Sequence, residues 1–255
     1  MRNIWTICQK ELKSYFASPI AYLAMAMFAI IFGFFFWNVV AYFVNMSLQS
    51  QMMGRSFPMD VNEMVIRPLL MNMSVIGLFL IPMIAMRLFS EEKRSMTIEL
   101  LLTSPLHDAE IVIGKWLAAL GLYAMLMLIS LLNIGFLFAY GKPDWKPLLA
   151  GYLGLLLQAG ALLALGAFIS TLTKNQIIAG IVTFSVCLLL WVFEWVGGYE
   201  TATWAKVMAY MSVVAHFEPF AKGVIDSKDA VYFLSLIFLG LFMSVRSLES
   251  LRWRS

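Results

Sequence analysis

Six stretches of about twenty mostly apolar residues recur along the chain, and they leave few folds open. They fall at 20–44, 68–86, 116–140, 148–172, 176–196 and 230–245. A helix needs about 20 apolar residues to cross the hydrocarbon core of a bilayer. Lipid offers nothing to an unpaired N–H or C=O, so spans of this length are helices. Of 255 residues, 62% are hydrophobic and 13% charged. A soluble domain carries roughly 45–50% and 25%, and one buried core cannot absorb the excess. The expected fold class is an all-α integral membrane protein with six transmembrane helices, forming one domain over 1–255. The first apolar run is longer than a signal-peptide core of about 7–15 residues and lacks a small-residue cleavage site, so it reads as a retained helix.

An even number of spans puts both termini on one side. Assigning that side to the cytoplasm gives the inner segments 11 of the 18 Lys and Arg residues. This modest positive-inside bias favours an N-in, C-in topology.

Three segments are not spans. In the N-terminal segment, 1–19, Ile4, Cys8, Leu12 and Tyr15/Phe16 share one helical face, with Thr6, Lys10 and Lys13 opposite. That pattern predicts an amphipathic interfacial helix lying on the inner membrane surface. Segment 87–115 holds the densest charge: Arg87, Glu91, Glu92, Lys93, Arg94, Glu99, Asp108, Glu110 and Lys115. Ser90 is the expected cap of a helix running to about Thr103, with Glu91 and Glu92 in its first turn. Ser104-Pro105 would end it, and Asp108 would cap the helix of the third span. Segment 198–229 is too apolar for a free loop. Trp204, Val207, Met208, Tyr210, Met211, Val214 and Phe217 recur at helical spacing, and Gly197-Gly198 is placed to break the fifth span before them. One or two short re-entrant helices in the outer half of the bilayer are expected, their broken backbone buried by protein.

Catalytic chemistry is not written in the sequence. Glu110-Ile111-Val112-Ile113-Gly114-Lys115 lacks the first glycine and the Ser/Thr of a phosphate-binding loop. His107 and His216 sit in no metal-ligand spacing, and no serine lies in a nucleophile elbow. No catalytic, cofactor-binding or metal residues are therefore assigned. Glu194 is the one charge within a span. It lies between Trp191 and Trp195, which read as an interfacial belt, so it is expected to reach outward. Gly160 and Ala164 have the spacing that lets helices approach closely. The aromatic first span (Phe28, Phe32, Phe34–Phe36, Trp37) reads as facing lipid.

The run Glu91-Glu92-Lys93-Arg94-Ser95-Met96-Thr97-Ile98-Glu99-Leu100-Leu101-Leu102-Thr103-Ser104-Pro105, followed by Glu110-Ile111-Val112-Ile113-Gly114-Lys115, resembles the signature of ABC-2-type transporter permeases. The segment from His216-Phe217-Glu218-Pro219-Phe220 through Asp226-Ser227 is similar to the subgroup associated with gliding motility. The order of elements fits over nearly the whole chain. Met96 departs from the pattern, standing where the family usually has a bend-permitting glycine.

The resemblance implies a non-catalytic permease subunit of an exporter in the bacterial inner membrane. A second permease copy, as homodimer or related half, would pair with two separate ATP-binding subunits that carry the ATP and magnesium. An auxiliary membrane or periplasmic protein is a further possible partner. The helix over 91–103 would dock on the ATPase through Glu91, Glu92, Lys93, Arg94 and Glu99, and helix 3–16 would supply a second contact. The first, second and fifth spans would line the route or the dimer seam. Two other functions fit the same spans: a membrane scaffold that anchors an ATPase without moving a substrate, and an ion-coupled carrier, which the scarcity of buried charge disfavours.

Overall fold

The computed structural model describes residues 2–53, 60–99, 106–141, 143–199 and 203–252, with the backbone alone at Ile20 and at 196–199. In chain order the helices are α1 (Arg2–Ala17), α2 (Pro19–Met52), α3 (Arg67–Ala85, entered through a π-helical turn at Asn62–Ile66), α4 (Ser90–Arg94), α5 (Asp108–Tyr140), α6 (Trp145–Leu172), α7 (Gln176–Tyr199), α8 (Thr203–Tyr210), α9 (Val213–Ala221) and α10 (Ser227–Arg252). Six of them are long and apolar enough to cross a membrane. Each extends past the apolar stretch that marks it in the sequence. α2 is the extreme case: its 34 residues rise about 51 Å, well beyond the ~30 Å hydrocarbon core.

α6 is the centre of the bundle. It packs on α3, α5, α7, α9 and, most extensively, α10. Small residues make this possible, because without a hydrophobic drive between helices in lipid, close packing must hold them. At Gly240 of α10 an added Cβ would lie 2.6 Å from the carbonyl carbon of Ala164. At Gly154 it would lie 2.5 Å from Cβ of Phe220. The expected closeness at Gly160 takes a specific form: its carbonyl accepts a 2.9 Å hydrogen bond from the indole N–H of Trp116. Between α3 and α6, buried Ser74 and Gln158 satisfy one another at 2.7 and 3.0 Å. Few residues of α2, α7 and α10 are fully buried. The first-span aromatics divide, with Phe28 and Phe32 buried and Phe34 and Trp37 exposed.

Four local expectations are corrected. Gly197-Gly198 does not break the fifth span, since α7 continues to Tyr199. Two residues lie one position past their assigned caps: Phe89 and His107 hold the cap positions, with Ser90 and Asp108 as the first helical residues. The charged helix is short. It ends at Arg94, and Ser95–Thr97 turn back with Met96 at φ 57°. The bend thus forms despite the absence of glycine. Helix resumes at Ile98, and the expected end at Thr103 with its Ser104-Pro105 stop lies outside the described residues. Finally, the apolar face of α1 is covered by protein. Ile7 lies against Gly114 and Leu12 against Gly121, so α1 runs alongside the first turns of α5 in the same direction.

The connection between α7 and α10 forms two short helices. Ser212 caps α9, accepting from the N–H groups of Val214 and Ala215 at 3.2 and 3.4 Å. Phe217 and Phe220 are buried beside Gly154 on α6. After α9 the chain turns at Gly223, φ 84°, where a Cβ would meet Pro147 at 2.8 Å. Only glycine combines that dihedral with that approach. Glu218 pairs with Arg67 at 2.6 Å and Lys222 at 2.9 Å. The Lys222 hydrogen bond, its charge and that of Arg67 hold the Glu218 carboxyl below its usual range. These contacts account for much of the His216–Asp226 run as the residues that fasten this hairpin to the bundle.

Candidate functional site

The chemistry-bearing residues gather at the end of the bundle that holds both terminal helices. The first two turns of α5 carry Ile111, Val112 and Gly114, all buried. Lys115 follows on the same helix and is itself buried, its side chain 3% exposed. A lone buried ammonium needs partners, because desolvating it costs several kcal/mol. It has two: Glu92 of α4 at 2.8 Å and Glu11 of α1 at 3.1 Å. The ring of Phe89 lies 5.5 Å away and adds a cation–π contact. One side chain of α5 thereby ties down helices from two distant parts of the chain.

α4 is anchored on a second side. The hydroxyl of Ser170, at the end of α6, accepts from the N–H groups of Phe89 and Ser90, each at 3.0 Å. A five-residue helix leaves its first N–H groups without internal partners, and a side chain from another helix supplies one here. Ser90 in turn donates to the Met86 carbonyl at 2.8 Å. Lys93 is buried and donates to the Thr171 carbonyl, one of the last on α6, where a cation is favoured. α1 has its own pins: Asn3 donates to the Glu110 carboxylate at 3.1 Å, and Ile7 fills the space left by Gly114. At the far end of the chain, Arg252 of α10 pairs with Asp108 at 3.2 Å.

Between α1 and α4 a cleft of about 320 Å³ opens, lined by Lys10, Glu11, Tyr15, Arg87, Glu91 and Glu92 among others. Tyr15 is among the lining residues, and burial, then the neighbouring Glu11 charge, pushes its phenol above the ordinary range. Cys8 is buried on the inner face of α1, and its thiol is also pushed up by burial.

The five docking residues expected on the charged segment therefore divide. Glu91, Arg94 and Glu99 are exposed, Glu91 leaning toward Arg87 at 3.7 Å. Glu92 and Lys93 point inward and hold the segment in place. On α1, Ile4 and Leu12 are half-buried and Cys8 buried, while Lys10 and Lys13 face outward. Lys115, named in the sequence only among the charges of its segment and in the family-like run, was not assigned to the site, and neither was Ser170. Lys115 did carry a signal: it is a lone charge inside the apolar run Ile111–Leu120, and such a charge calls for a partner. Ser170 carried none, because a serine in a span commonly bonds to its own helix. Among the described residues, no three His, Cys, Asp or Glu are grouped to hold a metal.

What the arrangement can do is mechanical. It holds a short charged helix at one end of a membrane bundle, two residues locked inward and their neighbours presented outward. A family model described as ABC-2 family transporter protein matches residues 5–225, well over half of the chain. No curated protein gives a significant match.

Proposed function

The chain belongs to the ABC-2 family of transporter proteins, and from that premise we propose that it is a permease subunit driven by a separate ATP-binding subunit that engages α4. The permease role itself follows from the family and from six helices long enough to span a bilayer. The observation that supports the coupling is the division of charge on α4. Glu92 and Lys93 fix the helix to α5 and α6, and through Lys115 to α1, while Glu91 and Arg94 are exposed, Glu91 beside Arg87. A push on the outward residues is then passed to three other helices instead of being lost in a loop.

In this reading two permease copies pair with two ATP-binding subunits. ATP-driven closure displaces α4 and shifts the spans between two states, a bistable element biased by nucleotide. The end carrying α1, α4 and the tail of α10 is cytoplasmic, in keeping with its Lys and Arg content, and the membrane is the bacterial inner membrane, with transport outward. The test is purification in mild detergent, followed by mass spectrometry and an ATPase assay. Co-purification of a nucleotide-binding protein whose hydrolysis responds to changes at Glu91 and Arg94 supports the proposal. A well-folded preparation of this chain alone, without ATPase activity, overturns it.

A further inference from the structure

We propose that Lys115 is a positioning residue that makes α1, α4 and the base of α5 one moving body, so that α1 travels with α4 when the ATP-binding subunit displaces it. The proposal rests on the coupling reading above and adds the path by which movement leaves α4.

The geometry carries it. α1 packs chiefly on α5, and α4 chiefly on α6 and α7, with little direct packing between α1 and α4. The two helices meet through Lys115. Its ammonium has three N–H donors, and carboxylates from both helices lie within 3.1 Å of it. The site is nearly closed: Lys115 is 3% exposed, Glu11 14% and Glu92 17%. Salt screens such groups far less than it screens surface charges.

Two anions sharing one cation form a latch with a definite failure mode. With the ammonium in place, each carboxylate is held toward the same point. Without it, each carboxylate loses the partner it shares with the other helix, and α1 and α4 are no longer held to one point. The cleft beside the latch, lined by Lys10, Ser14 and Tyr15 from α1 and by Glu91, Ser95 and Thr97 from α4 and its following turn, leaves room for that separation. On the opposite side nothing needs to give. Asn3 on Glu110 and Ile7 on Gly114 hold α1 to α5 independently of α4, so losing the latch frees α4 from α1 while α1 keeps its place on α5.

The experiment uses the complete permease with its ATP-binding subunit in lipid nanodiscs, with pairs of spin labels at exposed positions. A label pair at Lys13 and Thr97 reads the α1–α4 distance. A pair at Thr97 and Ser250 reads α4 against the end of α10. In the otherwise native chain, trapping ATP is expected to change the second distance and leave the first unchanged. In Lys115→Met the first distance lengthens or broadens on ATP trapping. Transport per ATP hydrolysed falls about tenfold, within the range for loss of a coupling contact, and the ATP-binding subunit still co-purifies. Lys115→Arg restores both readouts. Glu92→Leu, which leaves the Lys115–Glu11 pair in place and no acceptor on α4, serves if Lys115→Met does not insert, and is expected to free α4 from α1. A first distance that changes with ATP in the native chain overturns the proposal, as does a Lys115→Met protein with a fixed first distance and full coupling. A second distance that ignores nucleotide in the native chain overturns the coupling reading itself, and this proposal with it.

Discussion

His216 Nδ1 lies 2.6 Å from Oδ1 of Asp229, and both side chains are buried. The other ring nitrogen faces the Tyr210 carbonyl at 2.8 Å, which only accepts, so Nε2 carries a hydrogen. The ring also stacks on Tyr232 at 3.9 Å, whose hydroxyl donates to the Met211 carbonyl at 2.6 Å. This cluster clasps the α8–α9 hairpin to α10. Asp229→Ala strands a buried imidazole and is expected to cost about 3 kcal/mol. Asp229→Asn, whose amide can donate to Nδ1, costs less. Thermal unfolding of the detergent-purified variants checks the order.

The outward and inward charges of α4 give opposite phenotypes. The double reversal Glu91→Lys with Arg94→Glu is expected to leave insertion and melting temperature near native, because exposed charges contribute little to stability, and to uncouple hydrolysis from transport. Glu92→Lys brings a second cation against Lys115 and is expected to lower stability by about 3 kcal/mol or more. Melting curves paired with an ATPase-to-transport ratio distinguish the two.

Met96 sits in the left-handed region at φ 57°, which costs a residue with a Cβ roughly 1 kcal/mol. Met96→Gly removes that cost and is expected to leave stability unchanged or raised by up to about 1 kcal/mol, the gain offset in part by a looser unfolded chain. Met96→Val, branched at Cβ, is expected to destabilise. Shifts in melting temperature report both.

Gly154 is the seat of the α8–α9 hairpin. An alanine there would bring its Cβ within 2.5 Å of Phe220 Cβ, so α9 must move off α6. Gly154→Ala is expected to cost about 1–3 kcal/mol, the usual penalty of overpacking. Limited proteolysis should then cut between α8 and α10 at protease levels the native protein resists.

Acid should loosen the same hairpin. Glu218 has its pKa held below the ordinary 4.5 by Lys222 first and Arg67 after it. A depressed carboxyl adds stability above its unfolded pKa and loses it as pH falls through the folded one. Hairpin protection in hydrogen exchange is expected to be constant from neutrality to about pH 5 and to weaken below 4.5. Lys222→Met should flatten that dependence.

Much of the fold is legible in the sequence because lipid imposes it. A run such as Trp116–Tyr140 has no soluble alternative, and the charge at Glu91–Arg94 has no place inside a bilayer. Helix ends were less legible, since they depend on neighbours. Gly197-Gly198 looks like a break, yet α7 runs through it. Ser90 looks like a cap, yet the hydroxyl that caps α4 belongs to Ser170, eighty positions away. Periodicity on α1 identified the buried face but not what buries it, because lipid and a neighbouring helix ask for the same residues. The candidate site shows that limit most sharply. Glu92 and Glu91 are alike in sequence, and only the position of Lys115 sends one inward and leaves the other outside.

The central place of α6 also bears on how the protein is made. Its grooves at Gly154 and Ala164 are filled by Phe220 of α9 and Gly240 of α10, which leave the ribosome after it. During synthesis the helix that organises the bundle must wait in the membrane with two of its faces uncovered. Completion of α10 is therefore the assembly step, and a chain cut short after α7 would present those bare seams to quality-control proteases.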